Sequence, residues 1–193
     1  MTAPAASAAV SFLLGSIPFG LLFSRIFGGE DVRKKGSGNI GATNVSRVVG
    51  FWPAGFLTFL FDGLKGTLAV FIAEGTGLRW AAAAFVVAGH CFSPWLRFRG
   101  GKGVATGFGA IVLLSPAAAA AGLLGYLATF FSTRIGSLSS LAGLLLVVIA
   151  HFALPGFEPG PHLFFGAILL FIILLRHEKN IDALLEKSEN RFG

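Results

Sequence analysis

Seven apolar runs, at 7–27, 51–74, 78–96, 104–114, 117–131, 138–153 and 161–175, occupy most of this 193-residue chain, each bounded by glycine, proline or charge. The hydrocarbon core of a bilayer takes ~20 apolar residues per helical crossing, so about six to eight crossings with short loops fit this length, and no sizeable domain outside the membrane does. Hydrophobic residues make up 54% of the chain and charged ones 12%, about half the ~25% of a soluble domain. The expectation is a single all-α domain over 1–193, a polytopic integral membrane protein whose chemistry sits among its helices or in their loops.

Two of the runs are ambiguous. The run at 104–114 is barely half a normal span and is divided from 117–131 only by Ser115 and Pro116, so the pair is either two helices joined by a tight turn or one kinked helix. Charge decides between them, because cytoplasmic loops collect Lys and Arg. With seven spans, one face receives thirteen basic residues (Arg25, Arg33, Lys34, Lys35, Arg47, Arg97, Arg99, Lys102, Arg134, Arg176, Lys179, Lys187, Arg191) and the other only Arg79. Merging the pair changes the division to eight against six. Seven transmembrane helices are therefore expected, with the N-terminus outside and the C-terminus cytoplasmic. The polar segments 28–50, 97–103 and 176–193 then share the cytoplasmic face.

Other classes are set aside by composition. Cys91 is the only cysteine, which excludes a disulfide framework and a cysteine-rich metal site. His90, His151 and His162 are too scattered for a metal motif; neither metal nor cofactor is expected. The net charge of +6 is read as attraction to an anionic leaflet rather than to nucleic acid. The N-terminal stretch lacks a basic n-region and its apolar run continues past the small residues, so it reads as a first membrane helix.

Three segments carry chemistry. Gly36-Ser37-Gly38-Asn39-Ile40-Gly41-Ala42-Thr43-Asn44, with Arg47, mixes glycines that let backbone N–H groups converge on an anion with side-chain donors and a guanidinium fork suited to phosphate. Gly100-Gly101-Lys102-Gly103, ahead of Thr106, sets flexible backbone donors beside a point cation at a helix start. It is not a nucleotide P-loop: the glycine required five residues before the Gly101-Lys102 pair is replaced by Leu96. In Arg176-His177-Glu178-Lys179-Asn180, His177 and Asn180 stand three apart and are expected on one helix face. The His177-x4-Asp182 spacing turns the two side chains about 500° apart on a helix and is treated as chance.

Further residues have structural readings. Asp62 and Lys65 fall in mid-span, where each unpaired charge costs ~2.5–3.5 kcal/mol. Their i,i+3 spacing lets them pair with each other, and a structural ion pair and an internal site are equally open readings. Gly103 and Gly107 fit the small-xxx-small pattern of helix packing, and adjacent His90 and Cys91 point about 100° apart on a helix, which disfavours a Cys–His nucleophile.

The motifs GSGNIGATN with Arg47, GHCFSPWLRFRGGKGVAT, and RHEKNI with downstream Glu189, in this order, resemble the bacterial acyl-phosphate:glycerol-3-phosphate acyltransferase family (PlsY) over essentially the whole chain. Ser93-Pro94, Ala183 and Lys187-Ser188 depart from the family's pattern. The resemblance implies acyl transfer from acyl phosphate to the 1-hydroxyl of glycerol 3-phosphate, making lysophosphatidic acid and phosphate. This is the first acylation of phospholipid synthesis, in a monomer of the bacterial inner membrane with a cytoplasmic site and lipid around it. It implies catalytic roles for Ser37, Asn39, Arg47, Lys102, His177 and Asn180. Substrate contacts fall to Gly38, Gly41, Thr43, Asn44, Gly100, Gly101, Gly103, Thr106, Ser137 and Ser140. One phosphate is expected in each glycine-rich nest, with the hydroxyl proton passing to His177 or to the acyl phosphate itself. The alternative class, a carrier for a phosphate-bearing anion, suits glycine-rich half-helices and mid-membrane charge, but needs polar access on both faces.

Overall fold

The computed structural model describes residues 3–153 and 161–192, with the backbone alone described at Ala3, Pro161 and His162, so that the His162 side chain lies outside the described residues. Among the described residues there are ten α-helices and no strand: α1 (Ala3–Ser16), α2 (Phe19–Gly28), α3 (Ala42–Val48), α4 (Phe56–Ile72), α5 (Arg79–Cys91), α6 (Val104–Leu114), α7 (Pro116–Thr133), α8 (Gly136–Ala153), α9 (Pro161–Leu175) and α10 (Glu178–Leu185). Every apolar run in the sequence forms helix. Four stretches are long and apolar enough to cross a membrane: Pro4–Gly28, Phe51–Ile72, Pro116–Thr133 and Gly136–Ala153. The remaining three runs give shorter helices.

Proline punctuates the bundle as its lost N–H and fixed φ require. Pro18 separates α1 from α2, and Pro116 opens α7. At Ser115 the backbone leaves the helical region, with φ −154° and ψ 82°. The ambiguous pair is therefore two helices.

Large side chains such as Phe71, Leu124, Phe131, Phe164 and Phe171 point outward, while the interior is built largely of Ala, Gly, Ser and Val. That inversion suits lipid, where apolar surface gains nothing by hiding and helices associate through close packing of small residues. At Gly89 a Cβ would lie 2.0 Å from the Phe12 carbonyl oxygen, and at Gly109 1.9 Å from that of Gly63. These contacts bring α5 onto α1 and α6 onto α4. Gly103 and Gly107 face Val87 and Ile173, the packing role expected of them. Ala69, Val70, Val86, Val87, Leu169 and Ile173 form the main core between α4, α5 and α9. A second apolar cluster, including Val32, Ile40, Val45 and Leu96, lies beneath the polar loops and supports the site.

Candidate active site

The loop before α3 is organised by one side chain. Buried Asn44 accepts from the Ser37 N–H at 2.9 Å through Oδ1 and donates through Nδ2 to the carbonyls of Val32, Lys35 and Asn39. Gly38 and Gly41 donate their N–H groups to the Lys35 carbonyl and to Asn39 Oδ1. At Gly36, φ is +57° and a Cβ would lie 2.2 Å from Asn44 Oδ1. The Asp31 carboxylate binds both the backbone and the guanidinium of Arg33, which holds its pKa well below the usual carboxylate range.

The Gly100–Gly103 loop is held from both sides. Gly100 and Gly101 donate their N–H groups to the carbonyls of Cys91 and His90, at 3.0 and 3.1 Å. Their own carbonyls accept from Arg176 Nη2 at 2.7 Å and Nε at 3.0 Å. A nest aimed at anions is therefore not what these glycines form. The backbone N–H groups of Ser37, Gly38, Gly41, Gly100 and Gly101 all bind protein acceptors. Glycine serves here mainly for close approach: a Cβ at Gly100 would meet the His90 carbonyl oxygen at 2.0 Å.

Anion recognition is left to side chains and to the N-terminus of α6. Gly103, with φ +82°, precedes that helix, and no side chain caps it. Thr106, in its first turn, is fully buried and its Oγ1 has no hydrogen-bond partner. Lys102 lies immediately before it. Burial pushes the Lys102 ammonium down to about 8; nearby Glu189 opposes that shift, and Arg47 and Arg176 add to it.

His177 is the N-cap residue of α10, and its carbonyl accepts the Asn180 and Ile181 N–H groups at 2.9 Å. Its ring is 1% exposed. Nδ1 lies 2.8 Å from the Ile173 carbonyl oxygen; an oxygen acceptor there requires Nδ1 to carry the proton. Nε2 is left as a buried lone pair with no partner. Burial chiefly, with Lys102 adding, lowers His177 to about 4. Asn180 Nδ2 donates to Glu189 Oε2 at 2.6 Å, and Glu189 in turn acts electrostatically on both Lys102 and His177.

The C-terminal tail closes the remaining side. Phe192 donates its N–H to the Arg134 carbonyl at 2.8 Å, its ring lies under the Arg47 guanidinium at 4.8 Å, and Phe130 flanks it. Ile135, Leu184, Lys187, Glu189 and Arg191 line a cavity of about 160 Å³. Thr43 bonds Tyr126. Ser140 donates to the Gly136 carbonyl, whereas Ser137 Oγ is buried without a partner. Of the sequence-derived residues, then, Lys102, His177 and Asn180 gather around Glu189 with Arg47 near Lys102, Ser37 lies on an exposed loop, and Asn44 and Asn39 hold that loop together. Arg176 was not anticipated as a site residue. A lone Arg after an apolar run carries only the signal of an interfacial anchor.

A family model described as glycerol-3-phosphate acyltransferase matches residues 5–187. The chain belongs to the glycerol-3-phosphate acyltransferase family. A relative of that name from Dinoroseobacter shibae is 45% identical, covering 100% of this chain and 96% of its own; one from Anaeromyxobacter dehalogenans is 42% identical, covering 95% and 94%. The crystal structure of PlsY (YgiH), an integral membrane glycerol 3-phosphate acyltransferase, in its glycerol 3-phosphate form superposes with a TM-score of 0.90 at 35% identity, covering 98% of this chain and 96% of that one. Its lysophosphatidic acid form gives 0.85 at 34%, covering 98% and 95%. With these family members as integral membrane proteins and four spanning-length apolar helices here, the chain is an integral membrane protein.

Proposed function

We propose that this family member transfers a fatty acyl group from acyl phosphate to the 1-hydroxyl of glycerol 3-phosphate, giving lysophosphatidic acid and inorganic phosphate. The observation that carries this reading is the unpartnered lone pair of buried His177 Nε2 beside the Lys102 cation. It is a hydroxyl acceptor next to a phosphate counter-charge. PlsY structures in glycerol 3-phosphate and lysophosphatidic acid forms support the choice of acceptor and product.

Acyl phosphate is a mixed anhydride and needs no covalent enzyme intermediate. Positioning and charge stabilisation remain for the protein to supply. The glycerol 3-phosphate hydroxyl donates to His177 Nε2 and its oxygen attacks the acyl carbon. The bond from that carbon to the phosphate oxygen breaks, and the hydroxyl proton ends on the departing phosphate. A histidine lowered to about 4 orients the hydroxyl but is a weak final base. The departing inorganic phosphate, whose second ionisation lies near neutrality, is the better one. Lys102, the N-terminus of α6 and Thr106 Oγ1 receive one phosphate; Arg47 faces the other. Ser37, Asn39 and Asn180 orient the acceptor or stabilise the oxyanion, with Ser137 and Ser140 nearby.

The seven helical runs are read as seven spans, the shorter ones crossing where the bundle shields them, with the N-terminus outside and the site on the cytoplasmic face of the bacterial inner membrane. The protein acts as a monomer in lipid, at the first acylation of phospholipid synthesis. The test supplies purified protein and glycerol 3-phosphate with palmitoyl phosphate or palmitoyl-CoA in turn. Lysophosphatidic acid is expected from the phosphate donor alone; product from the thioester alone would overturn the donor assignment.

A further inference from the structure

Beneath the Gly100–Gly103 loop lies a second polar cluster to which the reaction assigns no role. Lys65 Nζ is 2.7 Å from Asp62 Oδ1, 2.9 Å from the Ile17 carbonyl oxygen and 3.0 Å from His90 Nδ1. Asp62, Lys65 and His90 are 1%, 2% and 4% exposed. An ammonium has three protons and no lone pair, and here it meets three acceptors. They come from the α1–α2 break, from α4 and from α5, so one cation ties three elements together.

His90 Nδ1 lies 3.0 Å from the Lys65 ammonium and 3.5 Å from Asp62 Oδ1. A nitrogen accepting from Lys65 holds its lone pair there, which places the ring N–H of His90 on Nε2. Nε2 abuts the loop: a Cβ at Gly101 would lie 2.0 Å from it. The His90 backbone carbonyl accepts the Gly101 N–H. Lys102 is the next residue.

We propose that Asp62, Lys65 and His90 are positioning residues for Lys102, fixing the floor on which Gly101 rests so that the Lys102 ammonium is held toward the substrate phosphate. Arg176 grips the same loop through the Gly100 and Gly101 carbonyls. The floor and this grip together leave the loop no direction in which to relax. Because Lys102 sits among Arg47 and Arg176, an unheld loop would carry it away from those like charges. This assignment rests on the acyl-transfer reading above.

A double-mutant cycle tests it, since two groups acting through one another fail to add. The first arm is Asp62→Leu/Lys65→Met, which removes both charges and leaves no buried carboxylate alone. The second is Lys102→Ala, and the third combines them. The charge-free pair is expected to lower kcat/KM by about 30-fold or more on the wild-type chain, but by less than about 3-fold on Lys102→Ala. His90→Leu, run through the same cycle, is expected to behave alike and serves if the paired variant does not fold. Equal losses on both backgrounds, or unchanged activity on the wild-type chain, would overturn the positioning role. Near-normal turnover in Lys102→Ala alone would instead remove Lys102 from the reaction, a failure of the functional reading.

Discussion

Lys65 and Lys102 are both cations set into a lipid-facing bundle, and they are treated in opposite ways. Lys65 meets three acceptors, the Asp62 carboxylate at 2.7 Å, the Ile17 carbonyl and His90 Nδ1. Lys102 has no ion pair within 4 Å among the described residues, lies near two further cations, and is pushed down to about 8. A buried polar group left unmatched costs stability. Thr106 Oγ1, Ser137 Oγ and His177 Nε2, like Arg79 Nε, have no hydrogen-bond partner, and Asp62 Oδ1 is met by its ion pair with Lys65. The contrast separates what holds the bundle from what waits for substrate.

The largest effect is expected where the saturated site is broken on one side only. Lys65→Met strands Asp62 and should cost about 3–5 kcal/mol, read as a lower unfolding temperature in detergent. Lys102→Ala should do the reverse, leaving unfolding unchanged while kcat/KM falls about 10²–10³-fold. If both variants lose stability alike, the contrast between the two lysines is wrong.

The lowered Lys102 value sharpens the same contrast through pH. Its ammonium is present below about 8 and is lost as pH rises through that value, so kcat/KM for glycerol 3-phosphate should fall on that alkaline limb. Lys102→Arg keeps its charge far beyond that pH and should remove the limb, whatever it does to the maximal rate. The smallest effect belongs to Thr106→Val. Loss of an unpartnered hydroxyl should leave stability the same or slightly higher, while one lost hydrogen bond to a charged phosphate, about 1.5 kcal/mol at the low end of its range, lowers kcat/KM about tenfold.

The helical runs were legible in the sequence because apolar length and proline breaks are local properties, and the Ser115-Pro116 division followed from charge. The Asp62–Lys65 pair was legible from its i,i+3 spacing. What local pattern could not supply was direction. Glycine-rich composition suits a phosphate nest and a tight backbone crossing equally, and only the Cys91 and His90 carbonyls and Asn44 Oδ1 show that the N–H groups turn inward. His90 joins Lys65 across 25 residues, and Arg176 reaches Gly100 across 76. Contacts at such separations leave no periodic trace.

The central claim, acyl transfer at the Lys102–His177 site, is tested most directly by stoichiometry. Purified protein in a lipid phase receives palmitoyl phosphate with and without glycerol 3-phosphate, and phosphate and lysophosphatidic acid are counted together. Equal amounts of the two products, formed only when both substrates are present, are expected. Phosphate released without the lipid by a folded preparation would contradict the claim.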